Sequence, residues 1–429
     1  MSQILSRRKF LERSIITATG VWVGTSAALA RKISPNDQLN IGVIGTHNRA
    51  AQNILGVQNQ NIVAICDVDD LFLNATHERF PAAKTYNDFR KLLDQKDVEA
   101  VVVSTPDHTH AVATMAALKS GRPVYCEKPL AHSVWEIRQV TEAAARLKLP
   151  TQMGIQIHAN ENYRRVVELI QSGSIGAVKE VHVWCAKSWS GGERPTEQPP
   201  VPSTLHWDLW LGPAPARAYN PAYLPKDWRR WWDFGGGTLG DMACHYMDLP
   251  FWALKLHAPT TIEAEGPPIH HETTPAWLIA HYEFPARENL PAVKLTWYDG
   301  GKQPDLITSG KVPNWANGVL FVGEKGMLLA DYNKKLLLPE KDFADFKAPA
   351  EYIPTSMGHH HEWIEACKTG SATSCNFNYS GPLAETVQLG NVAYRTGQKL
   401  EWDSKALKVT NTRAADKFIR PEFRHGWKL

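Results

Sequence analysis

The feature that most constrains this chain is the regular alternation of apolar runs and helix-like segments between Gln38 and Leu149. QLNIGVIGT reads as a buried strand, with AAQNILGVQ as the helix after it, and NIVAICDVD is a second strand ending at Asp67. NDFRKLLDQ (helix), VEAVVVSTP (strand to Thr105), HAVATMAALKSG (helix stopped by Gly121) and RPVYCEKPL (strand) continue the pattern. The next segment opens on Ser133 and Glu136, spaced as a capping box. Strand, helix and strand in repetition require a parallel sheet with crossover helices. Ligands of such sheets sit beyond the carboxyl ends of the strands, where Asp67, Thr105 to His110 and Glu127 to Pro129 all fall.

The first turn reads as a dinucleotide site with one anomaly. In GTHNRA, Gly45 stands at the first glycine of the fingerprint, but His47 and Ala50 occupy the second and third, with Asn48 and Arg49 between them. The second glycine normally lets backbone approach a pyrophosphate, so His47 either points away, with a ring able to hydrogen-bond a phosphate, or impairs binding. Asp67 follows at about the 20-residue spacing expected of the acid that takes the adenosine ribose hydroxyls. An acid there favours NAD over NADP, because it repels the 2′-phosphate.

After Gln156 the pattern changes. NENYRRVVELIQSG is a helix from an Asn160 cap to a Gly173 stop, and AVKEVHVWCAKSW is an alternating strand. An irregular, Pro-rich stretch runs from Gly191 to Pro225, and later strands follow one another without helices. That arrangement predicts a second domain with an antiparallel or mixed sheet. A chain of 429 residues exceeds the roughly 250 to 300 at which a single core stops growing. The expected division is 1–34 for a leader and linker, 35–155 for the nucleotide-binding domain and 156–429 for the remainder. A net charge of +3 without a basic run argues against nucleic acid.

SRRKFL, with a weakly apolar run from Ile15 to Leu29 and the small-residue ALA ending at Ala30, reads as a twin-arginine export signal. Glu12 stands where the usual signal has Lys. The apolar run is short of the ~20 residues a span requires, so no membrane span is expected after its removal. Export by this route carries folded proteins to the periplasm and suits a cofactor loaded beforehand. The six cysteines form no C-x-x-C pair and are expected to be reduced and buried.

The segment Gly235 to Leu254 reads as a glycine entry into a helix on which Asp241, His245 and Asp248 share one face. A carboxylate beside an imidazole fixes its tautomer and raises its basicity, which suits proton abstraction, although a surface ion pair has the same spacing. Lys128, between an acid and a proline at a strand end, is placed for chemistry. Arg229 and Arg230 are candidates for ligand contacts, or else belong to a solvated surface. Six of the sixteen Trp cluster between Trp189 and Trp232, and one or two could line a ligand site while the rest pack. His359 to His361 point in different directions on a helix, and no metal site is expected there.

VYCEKPLAHS, STPDHTHA, QMGIQIHANENYRRVVELIQSGSIG, the WWDFGGGTLGDMACHYMD run and GPLAETVQLGNVAYRTGQKLEW together resemble the Gfo/Idh/MocA oxidoreductases, in their exported, glucose-fructose oxidoreductase-like branch. The resemblance extends from about Leu39 to Trp402. It implies an α/β architecture: a Rossmann doubly wound parallel sheet followed by an α+β domain with a large open, mostly antiparallel sheet. NAD (NADP less readily) would bind between them with a sugar-like substrate. It further implies Lys128, Asp241 and His245 as catalytic residues and a cis Lys128–Pro129 bond. Thr105, Pro106, Asp107 and His108 match the cofactor loop, and Glu127 belongs to the same EKP motif. His158, Tyr163, Arg164 and Trp232 are the substrate-side candidates. A homo-oligomer, dimer or tetramer, through the second sheet is implied as well. Three activities are compatible: a sugar or glycoside dehydrogenase, a glycosidase working through transient oxidation by NAD, and a sugar-binding protein that has lost turnover.

Overall fold

A computed structural model describes residues 37–429, so the export signal expected from the sequence lies outside the described residues. The strands β1 (Asn40–Ile44), β2 (Asn61–Cys66), β3 (Lys84–Tyr86), β4 (Ala100–Val103), β5 (Val124–Glu127) and β6 (Thr151–Gly154) form one sheet. Its order is β3-β2-β1-β4-β5-β6 and every pairing is parallel. Every residue of β4 and β5 is buried, as expected of strands covered on both faces. Helices α1 (Arg49–Val57), α2 (Asp70–Arg79), α3 (Phe89–Asp94), α4 (Asp107–Lys119) and α5 (Val134–Leu147) are the crossovers. The predicted capping box on α5 is present: the Ser133 hydroxyl accepts from the Glu136 amide and the Glu136 carboxylate from the Ser133 amide.

The junction runs through α6 (Glu161–Gln171) into the second sheet, which begins with β7 (Val178–Cys185). After the short α7 (Trp207–Leu211) and the long α8 (Gly237–Ala253) come β8 (Thr261–Glu265), β9 (Ile279–Phe284) and β10 (Val293–Tyr298). The short α9 (Asp305–Thr308) precedes β11 (Asn317–Gly323), β12 (Met327–Ala330) and β13 (Lys335–Leu338). Next are α10 (His359–Thr369), α11 (Phe377–Thr396), β14 (Leu400–Asp403), β15 (Lys408–Val409) and α12 (Asp416–Ile419). The order is β13-β12-β11-β7-β10-β9-β8-β14-β15, antiparallel except between β7 and β10. The expected pair of sheets, one parallel and one mostly antiparallel, is therefore what the chain forms. β9 alternates strictly between half-buried and buried positions, so one face of this sheet belongs to the core, where α8 and α11 lie.

The described residues form one compact unit. α11 packs on α5 as well as on α8, and Arg138 holds Glu385 through two hydrogen bonds at 2.7 and 2.8 Å. Although the first sheet ends at Gly154, α10 returns to it. The His360 ring stacks on Tyr125 and lies where a Cβ on Gly56 would come within 2.5 Å. All six cysteines are free, five of them buried. Among the described residues no helix is long and apolar enough to cross a membrane.

Candidate active site

A cleft of ≈ 420 Å³ opens at the carboxyl ends of β1, β2 and β4. Its floor is the β1–α1 turn. Gly45 has φ 86°, and a Cβ there would lie 2.7 Å from the Ser104 carbonyl oxygen, so the position needs glycine on both counts. Asn48 takes the other left-handed position, φ 58°, and α1 begins with no side-chain cap. Uncapped amides at the start of a helix and facing a cleft suit a pyrophosphate. His47 borders the cleft with its ring flat on Phe72 of α2, centroids 3.9 Å and planes 4° apart.

Asp67 borders the same cleft, but its carboxylate is engaged more than a free ribose acceptor would be. It accepts from the Thr46 amide and hydroxyl, both at 2.9 Å, and from the Asp69 amide at 3.0 Å. Burial raises its pKa, and the Asp69 and Thr46 donors oppose the rise. Thr105 and Pro106 form the wall beyond β4. Glu127 ties β5 to the turn, accepting from Arg49 at 3.0 Å and from Asn53 at 2.9 Å. Burial alone would raise this carboxyl, but Arg49 and Lys128 overcome it and bring it down to about 2.

Beyond the cleft lies a charged hub that joins the two sheets. The Lys128–Pro129 bond is cis, and Lys128 Nζ donates to both the carbonyl oxygen and Oδ1 of Asp241, the latter at 2.8 Å. Asp241 also accepts from Arg229 Nε at 3.0 Å, Lys187 Nζ at 2.6 Å and Trp189 Nε1 at 2.7 Å. Burial would raise the Asp241 carboxyl, yet Lys128, Arg229 and Lys187 hold it well below the usual carboxylate range. Asp241 is thus a saturated anion that fixes three cations and has no capacity left to act as a base. Arg229 connects the hub to the cleft, which it also lines.

One turn further along α8, His245 is half-buried, and its buried Nδ1 has no protein partner. Burial, reinforced by Lys128, pulls it down to about 3, which keeps the ring neutral. The expected carboxylate beside this imidazole is a point the structure corrects. Asp241 is taken by the cations, and Asp248 accepts from Tyr379 at 2.7 Å and meets His158 at 3.0 Å. Helical spacing put the three residues on one face but could not show which partners arrive from other elements. Asp107 stands beside the hub, its carboxyl pushed by burial to about 7 with Arg229 and Lys128 opposing.

None of the substrate-side candidates His158, Tyr163, Arg164 and Trp232 borders this cleft. His158 is stacked on Trp252 and bound to Asp248. Tyr163 donates to the His245 carbonyl at 3.1 Å, and Arg164 donates to the Pro354 carbonyl. Trp232 donates to the His270 carbonyl and borders a different cavity, behind α4. His108, assigned to the cofactor loop, points into that cavity too, with Nε2 2.8 Å from the Trp210 carbonyl oxygen. Thr109, one position along α4, borders the cleft instead, because successive side chains on a helix face different ways. Lys187 and Trp189 are the hub members that sequence reasoning did not single out for chemistry. Among the described residues, His158, Asp248 and Cys375 are the group whose potential ligand atoms lie within 4.8 Å of one another, fully buried.

Comparison with known proteins accords with this architecture. Inositol 2-dehydrogenase of Salmonella paratyphi B is 34% identical over 148 residues, 34% of this chain and 43% of that protein. The Burkholderia multivorans enzyme of the same name is 34% identical over 40% of this chain and 54% of its own. The chain therefore spans about half the length of the curated relatives it matches. Among solved structures, the WlbA dehydrogenase of Bordetella pertussis in complex with NADH and UDP-GlcNAcA superposes with a TM-score of 0.59, at 17% identity, over 85% of this chain and 99% of that one. A levoglucosan dehydrogenase in complex with NADH and L-sorbose gives 0.57 at 16% identity, covering 85% and 99%. At such identities these two establish the fold. The model for the NAD-binding Rossmann fold of an oxidoreductase family matches residues 39–155, and the model for its C-terminal alpha/beta domain matches 159–429. Because the two matches cover nearly all of the described residues, the chain belongs to the Gfo/Idh/MocA oxidoreductase family.

Proposed function

We propose that this protein is an exported, NAD-dependent dehydrogenase that oxidises a ring hydroxyl of a sugar, glycoside or related polyol and holds its cofactor tightly. The observation that carries this reading is the Lys128–Asp241 pair, which has the unpartnered His245 Nδ1 one turn further along α8 and is joined through Arg229 to a dinucleotide-type cleft. The Gly45 turn and the uncapped start of α1 would hold the cofactor's phosphates, with Asp67 on the adenosine side. Asp67 and Asp69 border that side together, which disfavours the extra phosphate of NADP. When bound, NAD supplies the acceptor for a hydride leaving the carbon that bears the hydroxyl.

The chain's own residues manage the proton and the charge. His245 accepts the hydroxyl proton at a ring nitrogen. Lys128 stabilises the developing alkoxide as a cation held in place by Asp241, and Arg229 and Lys187 strengthen the local positive field. The names of the relatives, inositol 2-dehydrogenase and levoglucosan dehydrogenase, support a cyclic polyol or sugar substrate. The twin-arginine pattern supports export of a folded, cofactor-loaded protein, and subunits would pair through the second sheet.

The test uses protein purified from the periplasm without added nucleotide. Identifying NAD released on denaturation supports the reading, as does a rise in NADH absorbance on addition of a sugar or inositol. Absence of any reduction across a panel of sugars and polyols counts against it. An unchanged rate in Lys128→Ala removes the assigned role of that residue.

A further inference from the structure

The cleft has a roof, and part of it comes from a segment that no assignment above uses. Residues after α12 run back to the first sheet, where Trp427 borders the cleft beside Asn87, Asp88 and Phe89. The ring packs on Phe89, with centroids 6.1 Å apart, and under the Arg90 guanidinium at 4.9 Å. Arg90 is itself fixed by Asp88 at 2.7 Å.

This segment is anchored on both sides. Arg424 donates to the carbonyl oxygens of Gly212 at 3.0 Å and Asp208 at 2.8 Å and is paired with the Asp208 carboxylate. Its amide donates to the Pro213 carbonyl at 2.9 Å, and the Trp427 amide closes a turn on the Arg424 carbonyl at 3.1 Å. Asp208 lies on α7, next to Leu209 and Trp210, which also roof the cleft. Trp427 is therefore held between α3 and α7.

The position along the cleft identifies the ligand part. In this strand order a dinucleotide's phosphates sit at the β1–α1 turn, its reactive end lies towards β5 and Lys128, and its other nucleoside lies towards β2 and β3. Trp427 stands at the loop following β3, the adenosine end, with Asp67 and Asp69 nearby. An indole offers a purine a flat apolar face, and base–aromatic stacking is among the stronger contacts available to a nucleobase.

We propose that Trp427, carried back over the cleft by the Arg424 anchor, packs against the adenine ring and slows release of the cofactor. The proposal rests on the reading of the cleft as an NAD site. It is tested by measuring equilibrium binding of NAD, ADP and nicotinamide mononucleotide to the wild type, W427A and W427F. The expected result is about tenfold weaker binding of NAD and ADP to W427A. Mononucleotide binding and the thermal midpoint of the ligand-free protein stay unchanged, and W427F recovers most of the loss. Unchanged NAD and ADP affinity overturns the proposal, and so does equal weakening of the mononucleotide, which would mean general loosening of the cleft. Should W427A fail to fold, W427L keeps the apolar bulk without the aromatic face and gives the same comparison. A wild type that binds none of the three nucleotides overturns the NAD reading itself, and this proposal with it.

Discussion

Lys128 and Asp241 meet at 2.8 Å across the junction of the two sheets, 113 residues apart in sequence and both nearly buried. Because Arg229 and Lys187 share the same carboxylate, three cations depend on one anion. Removing that anion while keeping its shape exposes the dependence. Asp241→Asn should lose about 3 kcal/mol, since breaking a buried ion pair leaves uncompensated charge. Urea unfolding measures it, and an unchanged midpoint would mean that the cations find other counterions.

The turn carrying His47 tests the cofactor site from the other side. Its left-handed positions are Gly45 and Asn48, so His47 is not where backbone geometry requires glycine. His47→Gly should keep NAD affinity within about threefold and lose about 1 kcal/mol of stability with the Phe72 stack. Gly45→Ala should behave oppositely, abolishing tight NAD binding because the added methyl meets the Ser104 backbone at 2.7 Å. Titration of both variants with NAD distinguishes them. Tighter binding in His47→Gly by tenfold or more would show that the imidazole obstructs the site after all.

How much of this was legible in the sequence depends on whether the partners are local. The parallel sheet, the Gly45 turn and the strand ending in Glu127–Lys128 follow from alternation over short distances. The α5 capping box follows from a spacing of three residues. The Asp241–His245 spacing on α8 was legible too, but its meaning was not. Asp248 finds His158, 90 residues away, and Asp241 finds Lys187 at the end of β7 and Arg229 in an irregular segment without periodicity. Trp427 left no local signal, because its importance arises from a turn that brings it back over the first sheet.

Buried histidines make acid a denaturant. Burial pulls His108, His245 and His359 down to about 3 and His110, His132 and His360 down to about 4, from an ordinary value of 6.5. Below pH 6.5 the unfolded chain takes up protons that the folded chain refuses, so stability is lost as pH falls from 6.5 towards 4. Asp107, Glu136 and Asp299, pushed up to about 7 by burial, oppose this trend over the same range, but they are three against six. The thermal midpoint should therefore drop steadily from pH 7 to pH 5. A midpoint that stays level or rises would contradict the neutral assignment of these rings.

Asp107 isolates the opposite sign at the edge of the hub. Its folded pKa of about 7 lies above the ordinary 3.8, so the folded protein holds a proton there that the unfolded chain gives up. Its contribution is fully present below about pH 4 and is lost as pH rises towards 7. Arg229 and Lys128 attract its charged form, but burial outweighs them, which makes the carboxylate at pH 8 a net burden on the fold. Asp107→Asn keeps the size and removes the charge. Urea midpoints should show the variant more stable than the wild type at pH 8, with the difference shrinking or reversing by pH 5. Greater stability of the wild type at pH 8 would mean that the ion pairs with Arg229 and Lys128 dominate, and that Asp107 is anionic throughout the working range of the site.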